Sequence, residues 1–380
     1  MIILQIGLCD ILKNMKDNTI AVMNKTIAVC LGFLTLCVVI YILKIGKAIL
    51  LPLVIAICLW YLINSLQAII KSVSIKGYSL PSFICYIIAL CIISGVVWGI
   101  SSIVVSNISA VVKDIPVYQD KLQLFVEKTA ERFHYTGDAT LRNLIRKINY
   151  TSMFSSLASA LQDMTKNTFL VLIYVIFLFM EQANFHRKLE LFFSSVAPER
   201  QLGRVMSEGI GAMRKYIGVK TVASLVTALL SYLIMYWCKL DYAAFWALLI
   251  FLFNYIPSIG SIVATTIPAV LTLVQFENPL IPFICVAGGI TAVQFLIGNI
   301  LEPRFLGTSL NISPLVVLLS LAFWGAIWGI AGMLLCVPIM SIAIMLFAQF
   351  DATRPIAILL SGNGRVIVFK TDGKSEEKED

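Results

Sequence analysis

The sequence predicts an all-α fold: a polytopic helical membrane protein with about eight transmembrane elements and broken or re-entrant helices in its C-terminal third. Three observations carry this expectation. Of 380 residues, 59% are hydrophobic and 13% charged, where a soluble domain carries about 25% charged residues. Eight stretches contain no Asp, Glu, Lys or Arg, and most approach or exceed the ~20 residues that a spanning helix needs. In the last third, Pro, Gly, Asn and Gln interrupt runs that a plain lipid-facing helix would keep apolar. A mean hydropathy of +0.91 rules out water as the main solvent, and with it the soluble multidomain, disordered and collagen-like classes.

The elements follow in order from the charge-free stretches. Residues 1–25, with Lys13, Lys16 and Lys25, make a cytoplasmic N-terminus, because loops on that side concentrate Lys and Arg. Met1 to Leu12 is apolar but lacks the basic start and small-residue cleavage site of a signal peptide. Three transmembrane helices occupy 26–112, built on Thr26 to Leu43, Ala48 to Ile70 and Gly77 to Val112. Lys71 and Lys76 fall back on the cytoplasmic side between the last two. Residues 113–163 form an extracytoplasmic amphipathic insert, where Leu122, Phe125 and Phe133, then Leu141, Leu144 and Ile148, recur at helical spacing around a turn at Tyr135 to Asp138. A fourth membrane helix spans 164–182. Residues 183–216 give two cytoplasmic amphipathic helices divided at Pro198, with Arg187, Lys188 and Arg204 reaching headgroups or a neighbouring subunit. Residues 217–350 hold the remaining membrane elements, with Lys220 and Lys239 as snorkelling flanks of Thr221 to Cys238. A cytoplasmic tail, 351–380, follows.

The net charge of +8 is therefore a matter of membrane topology, and the chain has the bilayer rather than nucleic acid as its partner. Nine cysteines sit mostly inside apolar runs without CxxC spacing, as small buried hydrophobes do. His134 and His186 fall in different loops, so no metal-ligand cluster is expected. No GxxxxGK[ST] motif is present and no Cys/His constellation faces the apolar segments. An enzyme is not expected, nor any cofactor beyond Na+ or H+ as a coupling ion.

Tyr242 to Phe276 runs 35 residues without a charge, and its middle reads Asn254, Tyr255, Ile256, Pro257, Ser258, Ile259, Gly260, Ser261. Pro257 and Gly260 predict two shorter helices joined by a break at membrane depth. Backbone groups freed at such a break are tolerated only against protein or a water-filled cavity. Asn254, Ser258, Ser261, Thr265 and Thr266 make it a candidate site for a cation or small polar solute. Locally satisfied hydroxyls beside a proline kink are the alternative.

A second interruption lies between Gln294 and Pro314, where Asn299, Glu302, Pro303, Arg304, Gly307, Asn311 and Ser313 separate apolar helices. Gln294 and Asn299 are candidate ligands, and Pro303, Gly307 and Pro314 candidate helix breaks. Glu302 and Arg304 are the only charges between Asn278 and Phe350. They form either an ordinary surface pair or a gating and coupling pair in an aqueous vestibule. Trp324, Gly325, Trp328, Gly329 and Gly332 suggest close packing on one helix, with Pro338 breaking the run beyond it.

The order Asn254-Tyr-Ile-Pro257-Ser-Ile-Gly260, Pro268, Gln294, Asn299, Glu302-Pro303, Gly307, Leu310, Pro314, Trp324-Gly325, Gly329, Gly332 and Pro338 resembles the autoinducer-2 exporter (AI-2E) family of permeases, over roughly Val22 to Pro355. The resemblance implies a multi-pass bacterial inner-membrane permease, a homo-oligomer with a pentamer as one form. It implies export of a signalling molecule such as autoinducer-2, or sodium/proton antiport. Two positions depart from the family pattern: Ser261 stands where many relatives have Pro, and Ile297 where many have an acidic residue. The expected function is a secondary transporter for a small polar solute driven by an ion gradient. A non-transporting membrane scaffold is the alternative from another class.

Overall fold

The computed structural model describes residues 26–27, 30–72, 81–132, 159, 162, 167–194, 199–306, 311–349 and 353–364. Every regular element among them is helical. Helix α1 is Cys30–Ile45, α2 Lys47–Ser72, α3 Ser82–Arg132, α4 Thr168–Ser194 and α5 Glu199–Trp237. Helices α6 (Ala243–Phe253) and α7 (Ile259–Gln275) follow, then α8 (Leu280–Phe295), a π-helical turn over Leu296–Leu301 and α9 (Glu302–Leu306). The described chain ends with α10 (Pro314–Trp328), α11 (Ile330–Gln349) and α12 (Arg354–Leu360). Among the described residues, five stretches are long and apolar enough to cross a bilayer: Lys47–Lys71, Ser82–Val104, Gly211–Trp237, Leu280–Leu306 and Ile330–Ala348. Five shorter apolar helices accompany them among the described residues. The polytopic all-α expectation holds.

The chain divides into two compact units, Met1–Leu51 and Pro52–Asp380. In the first, α1 ends at the single turn residue Gly46, whose N–H donates to the Ile42 carbonyl at 2.7 Å. Leu31, Phe33, Leu34 and Tyr41 of α1 are exposed, a surface suited to lipid.

In the second unit, α2, α3 and α4 close a core of Ala56, Ile63, Ala89, Ile93, Val171 and Val175. Ala56 on α2 and Ala89 on α3 let the helices approach closely, as small residues do where lipid removes the hydrophobic drive between helices. Polar side chains brace the same bundle. Trp60 Nε1 donates to Gln182 Oε1 at 3.1 Å, and the Tyr86 hydroxyl to Asn64 Oδ1 at 3.1 Å.

Two predicted boundaries are carried by continuous helices. The helix expected to end near Val112 runs on to Arg132, and α5 joins the polar segment after Glu199 to the membrane segment ending at Trp237. The insert's turn at Tyr135 to Asp138, its later helices apart from Ser159 and Gln162, Pro198, Gly307 and the tail beyond Gly364 lie outside the described residues.

The C-terminal half is built on two hairpins. At 11 and 17 residues, α6 and α7 are about 16 and 25 Å long, each short of the ~30 Å hydrocarbon core. Their outer ends are tied together: Gln275 Oε1 accepts from the Asp241 N–H and Gln275 Nε2 donates to the Lys239 carbonyl, both at 2.9 Å. Tyr242 to Phe276 is thus a helix-break-helix hairpin, as its Pro and Gly predicted. At its tip, a Cβ on Gly260 would stand 1.8 Å from the Phe253 carbonyl oxygen, so only glycine lets the two arms meet there.

The second hairpin corrects the sequence reading. Pro338 lies inside α11 and does not break it; the break falls at Gly329, with φ +67°. Trp324, Gly325 and Trp328 therefore lie on α10 and Gly332 on α11, not on one helix. The glycines do serve packing: a Cβ on Gly332 would lie 2.0 Å from the Trp324 carbonyl oxygen, and one on Gly325 2.8 Å from Met333 Cε. Ser320 Oγ bonds across the hairpin to the Cys336 carbonyl at 3.3 Å. At the hairpin's base the Ser313 N–H donates to the Leu360 carbonyl at 3.1 Å, and the Gly362 N–H to Asn311 Oδ1 at 3.0 Å.

The hairpins enter from opposite ends of the unit. The feet of the first meet α3 beyond its membrane stretch: the Tyr242 hydroxyl donates to Asp114 Oδ2 at 2.6 Å, and the Tyr118 hydroxyl to Asp241 Oδ2 at 3.1 Å. The feet of the second follow within a few residues of Leu306, whose carbonyl accepts from Lys215 Nζ near the start of the α5 membrane stretch.

Candidate functional site

Helix α5 decides where the interruptions meet. Its buried face carries Ala223, Ser224, Thr227, Ala228 and Ser231, while Val222, Leu225, Leu229 and Leu233 are exposed. Small hydroxyl residues at three- and four-residue spacing let neighbouring backbones approach and leave polar groups inside. Thr227 spends its hydroxyl on the Ala223 carbonyl at 2.8 Å. Ser231 Oγ is buried with no hydrogen-bond partner among the described residues.

One turn of that face, Lys220 to Ser224, holds both interruptions. From the first, Asn254 Nδ2 donates to Ser224 Oγ at 3.0 Å, and the Tyr255 and Thr221 hydroxyls share a bond of 2.7 Å. From the second, Lys220 Nζ reaches both carboxylate oxygens of Glu302 at 2.7 and 2.9 Å. The two charged side chains retain 12% and 13% of their accessible surface. An ion pair so enclosed has lost most of its hydration, and its geometry must repay that loss. Buried Tyr216, one turn earlier, lies in electrostatic range of Glu302, Tyr255, Cys58 and Cys336. Gly218 keeps the opposite side open to α2, where a Cβ would come 3.1 Å from Ser65 Oγ. Arg214 bonds there to the Asn64 carbonyl.

The expected residues divide accordingly. Asn254 and Glu302 reach the junction. The gating pair Glu302–Arg304 does not form: the partner of Glu302 is Lys220, and Arg304 is exposed. Residues two apart on a helix point to different faces, so the i, i+2 pairing was sterically disfavoured from the start. Ser261 donates to the Ser258 carbonyl at 2.9 Å and Thr265 to the Ser261 carbonyl at 3.0 Å, the locally satisfied arrangement. Ser258 is exposed with φ +58° at the tip of the break. Gln294 is half-buried near the end of α8, and Asn299 is exposed on the π-helical turn.

Of the expected helix breaks, Pro257 lies in the interruption itself and Gly260 opens α7. Pro303 does not end its helix. The chain passes it by widening into the π-helical turn before α9, which absorbs the missing N–H and the ring's clash with the preceding turn. Pro314 starts α10 at its first turn, where its lack of an N–H is harmless. Gly307 lies outside the described residues.

Lys220, Thr221, Ser224 and Tyr255 were not singled out as site residues from the sequence. A signal existed: Lys220 stands about 14 Å along the axis from Gly211 at 1.5 Å per residue, on the face where Ser224, Thr227 and Ser231 recur.

Comparison with known proteins agrees with this architecture. A family model described as "AI-2E family transporter" matches residues 29–351. The chain is 30% identical over 323 residues to a Borreliella burgdorferi protein named for transport, covering 84% of this chain and 86% of that one. A Haemophilus influenzae protein, also named for transport, is 31% identical over 293 residues, 73% of this chain and 82% of that one. The AI-2 transport protein TqsA of Escherichia coli K12 is 29% identical over 260 residues, 67% of this chain and 74% of that one. With the family pattern spanning every membrane helix from α1 to α11, the chain belongs to the AI-2E transporter family.

Proposed function

We propose that the protein is a secondary transporter, not an enzyme, that carries a small polar solute past the junction of α5 with the two interrupted segments. The observation behind this reading is the convergence of both interruptions on one turn of α5, through Asn254 on Ser224, Tyr255 on Thr221 and Glu302 on Lys220. Intramembrane amides, hydroxyls and charges are costly and favour transport pathways over lipid-facing surfaces. The similarity to TqsA, named for AI-2 transport, makes autoinducer-2 the first solute to test, with an ion gradient as the driving force. Movement of the hairpin region against the α2–α4 bundle would expose the junction alternately to each side. The setting is the bacterial inner membrane with both termini cytoplasmic, and a homo-oligomer, with a pentamer as one form, is the working assembly.

Purified protein in liposomes loaded with radiolabelled autoinducer-2, or with a panel of small polyols and organic acids, tests this under imposed sodium or proton gradients. Gradient-dependent flux of one solute, lost in Asn254→Ala, is the expected result. Sodium/proton exchange with no organic solute moved would favour the antiport alternative. No flux of any kind, with partner proteins retained by the 113–163 segment, would favour the scaffold.

A further inference from the structure

The Lys220–Glu302 pair is the least expected feature of the molecule. Two opposite charges, 82 positions apart in the chain, sit on two different membrane stretches, Gly211–Trp237 and Leu280–Leu306, and face each other rather than water. A stabilising role alone is a weak reason for such a pair, since an apolar pair of similar volume usually serves as well or better. Its surroundings are also loosened. Pro303, next to Glu302, brings no N–H to the helical ladder, and the chain passes it only by widening into a π-helical turn. Beside Lys220, Thr221 and Tyr255 add two hydroxyl oxygens.

We infer that Lys220 is a tethered stand-in cation for Glu302, and that the site's ligand is a small monovalent cation, Na+ or H+, which takes the ammonium's place on the carboxylate. The inference deepens the transport reading by assigning its coupling ion to Glu302. The lysine ammonium carries one positive charge and bonds both carboxylate oxygens. An entering cation supplies the same charge to the same oxygens, and the ammonium swings out on its four-carbon stem to water. Each carboxylate thus holds one positive charge at a time, tethered or free. Lysine suits this exchange as a compact ion on a flexible stem, where an arginine fork would hold on in a planar, two-point grip. Tyr216 lies in electrostatic range of Glu302, and Tyr255, Cys58 on α2 and Cys336 on α11 lie in range of Tyr216; all four are neutral when protonated and do not compete as cations. Lys215, on the preceding turn of α5, is bonded to the Leu306 carbonyl at 3.4 Å.

Equilibrium binding of 22Na+ to the purified full-length protein tests the inference without requiring transport. Removing the tethered competitor in Lys220→Met should tighten sodium binding at least tenfold. Glu302→Gln should abolish binding, and the double variant should match it. If Lys220→Met takes up protons at this site but no sodium at any pH, the proton is the ligand and the exchange still stands. Lys220→Arg keeps charge and pairing and so guards against misfolding: it should weaken sodium binding and flatten any gradient dependence of flux. Equal sodium binding by wild type, Lys220→Arg and Glu302→Gln overturns the inference. If sodium binds as expected while no organic solute moves, the solute-transport reading fails and the cation site remains.

Discussion

Lys220 and Glu302 show at the scale of single residues what a buried charge pair asks of its neighbours. With both side chains nearly enclosed, removing one partner strands the other, and each single variant should lose about 3 to 5 kcal/mol of stability. Lys220→Met combined with Glu302→Gln should recover much of that loss. Thermal unfolding in detergent checks it, and a double variant as unstable as the sum of the two would contradict the pairing. Gly260 is as constrained in a different way. Its missing Cβ would collide with the Phe253 carbonyl at 1.8 Å, so Gly260→Ala should cost at least ~3 kcal/mol, the upper range for overpacked sites, while Gly288→Ala, where a Cβ meets nothing within 4 Å, should be nearly silent. Melting temperatures of the two purified variants make the comparison. The Gly260 requirement was legible in the sequence, because Pro257 and Gly260 in one charge-free run already demanded a break. The Lys220 partnership was not, since nothing local in the sequence links positions 82 apart, and nearby Arg304 offered itself although a helix turns it away.

Each hairpin depends on how its feet are fastened. Tyr242 and Tyr118 fix the first to α3 through Asp114 and Asp241. The bond to Asp114 first, then burial and the nearby carboxylates, raise the Tyr242 phenol to about 12. Burial first, then the charge of Asp241, also raises Tyr118. A phenol raised in the folded state from an unfolded value near 10 stabilises the fold fully below pH 10 and loses that contribution as pH rises through 12. Spectroscopic titration of tyrosinate should therefore count one fewer protonated phenol at pH 11 in Tyr242→Phe than in wild type. Gln275→Ala, which unties the two feet of the same hairpin, should cost about 1 to 3 kcal/mol for two hydrogen bonds, visible as a lower melting temperature. Proline signalled these elements unevenly. Pro257 coincides with a true interruption, Pro314 starts a helix, Pro303 is passed by a π-helical turn and Pro338 is carried inside α11. Proline removes one N–H wherever it falls, but whether the helix ends depends on packing around it. At the second break the left-handed Gly329, not a proline, turns the chain.

Across the whole molecule, the charge-free runs gave the membrane elements because the cost of a charge in hydrocarbon is local and large. The sidedness of those runs relative to one another came only with the contacts between them. Asp114 on α3 and Asp241 after α5 meet at one end, while Lys215 and Leu306 meet toward the other. In a cysteine-free background, Asp241→Cys and Arg304→Cys should accordingly react with an impermeant thiol reagent from opposite sides of sealed vesicles. The central claim is that a solute crosses where both interruptions meet α5. Solute flux through proteoliposomes carrying Ser224→Leu, which fills the contact with Asn254, beside Thr265→Val, whose hydroxyl is spent within α7, tests it most directly. The account predicts at least a tenfold loss for Ser224→Leu and near wild-type flux for Thr265→Val; equal flux through both, with both proteins folded, would contradict it.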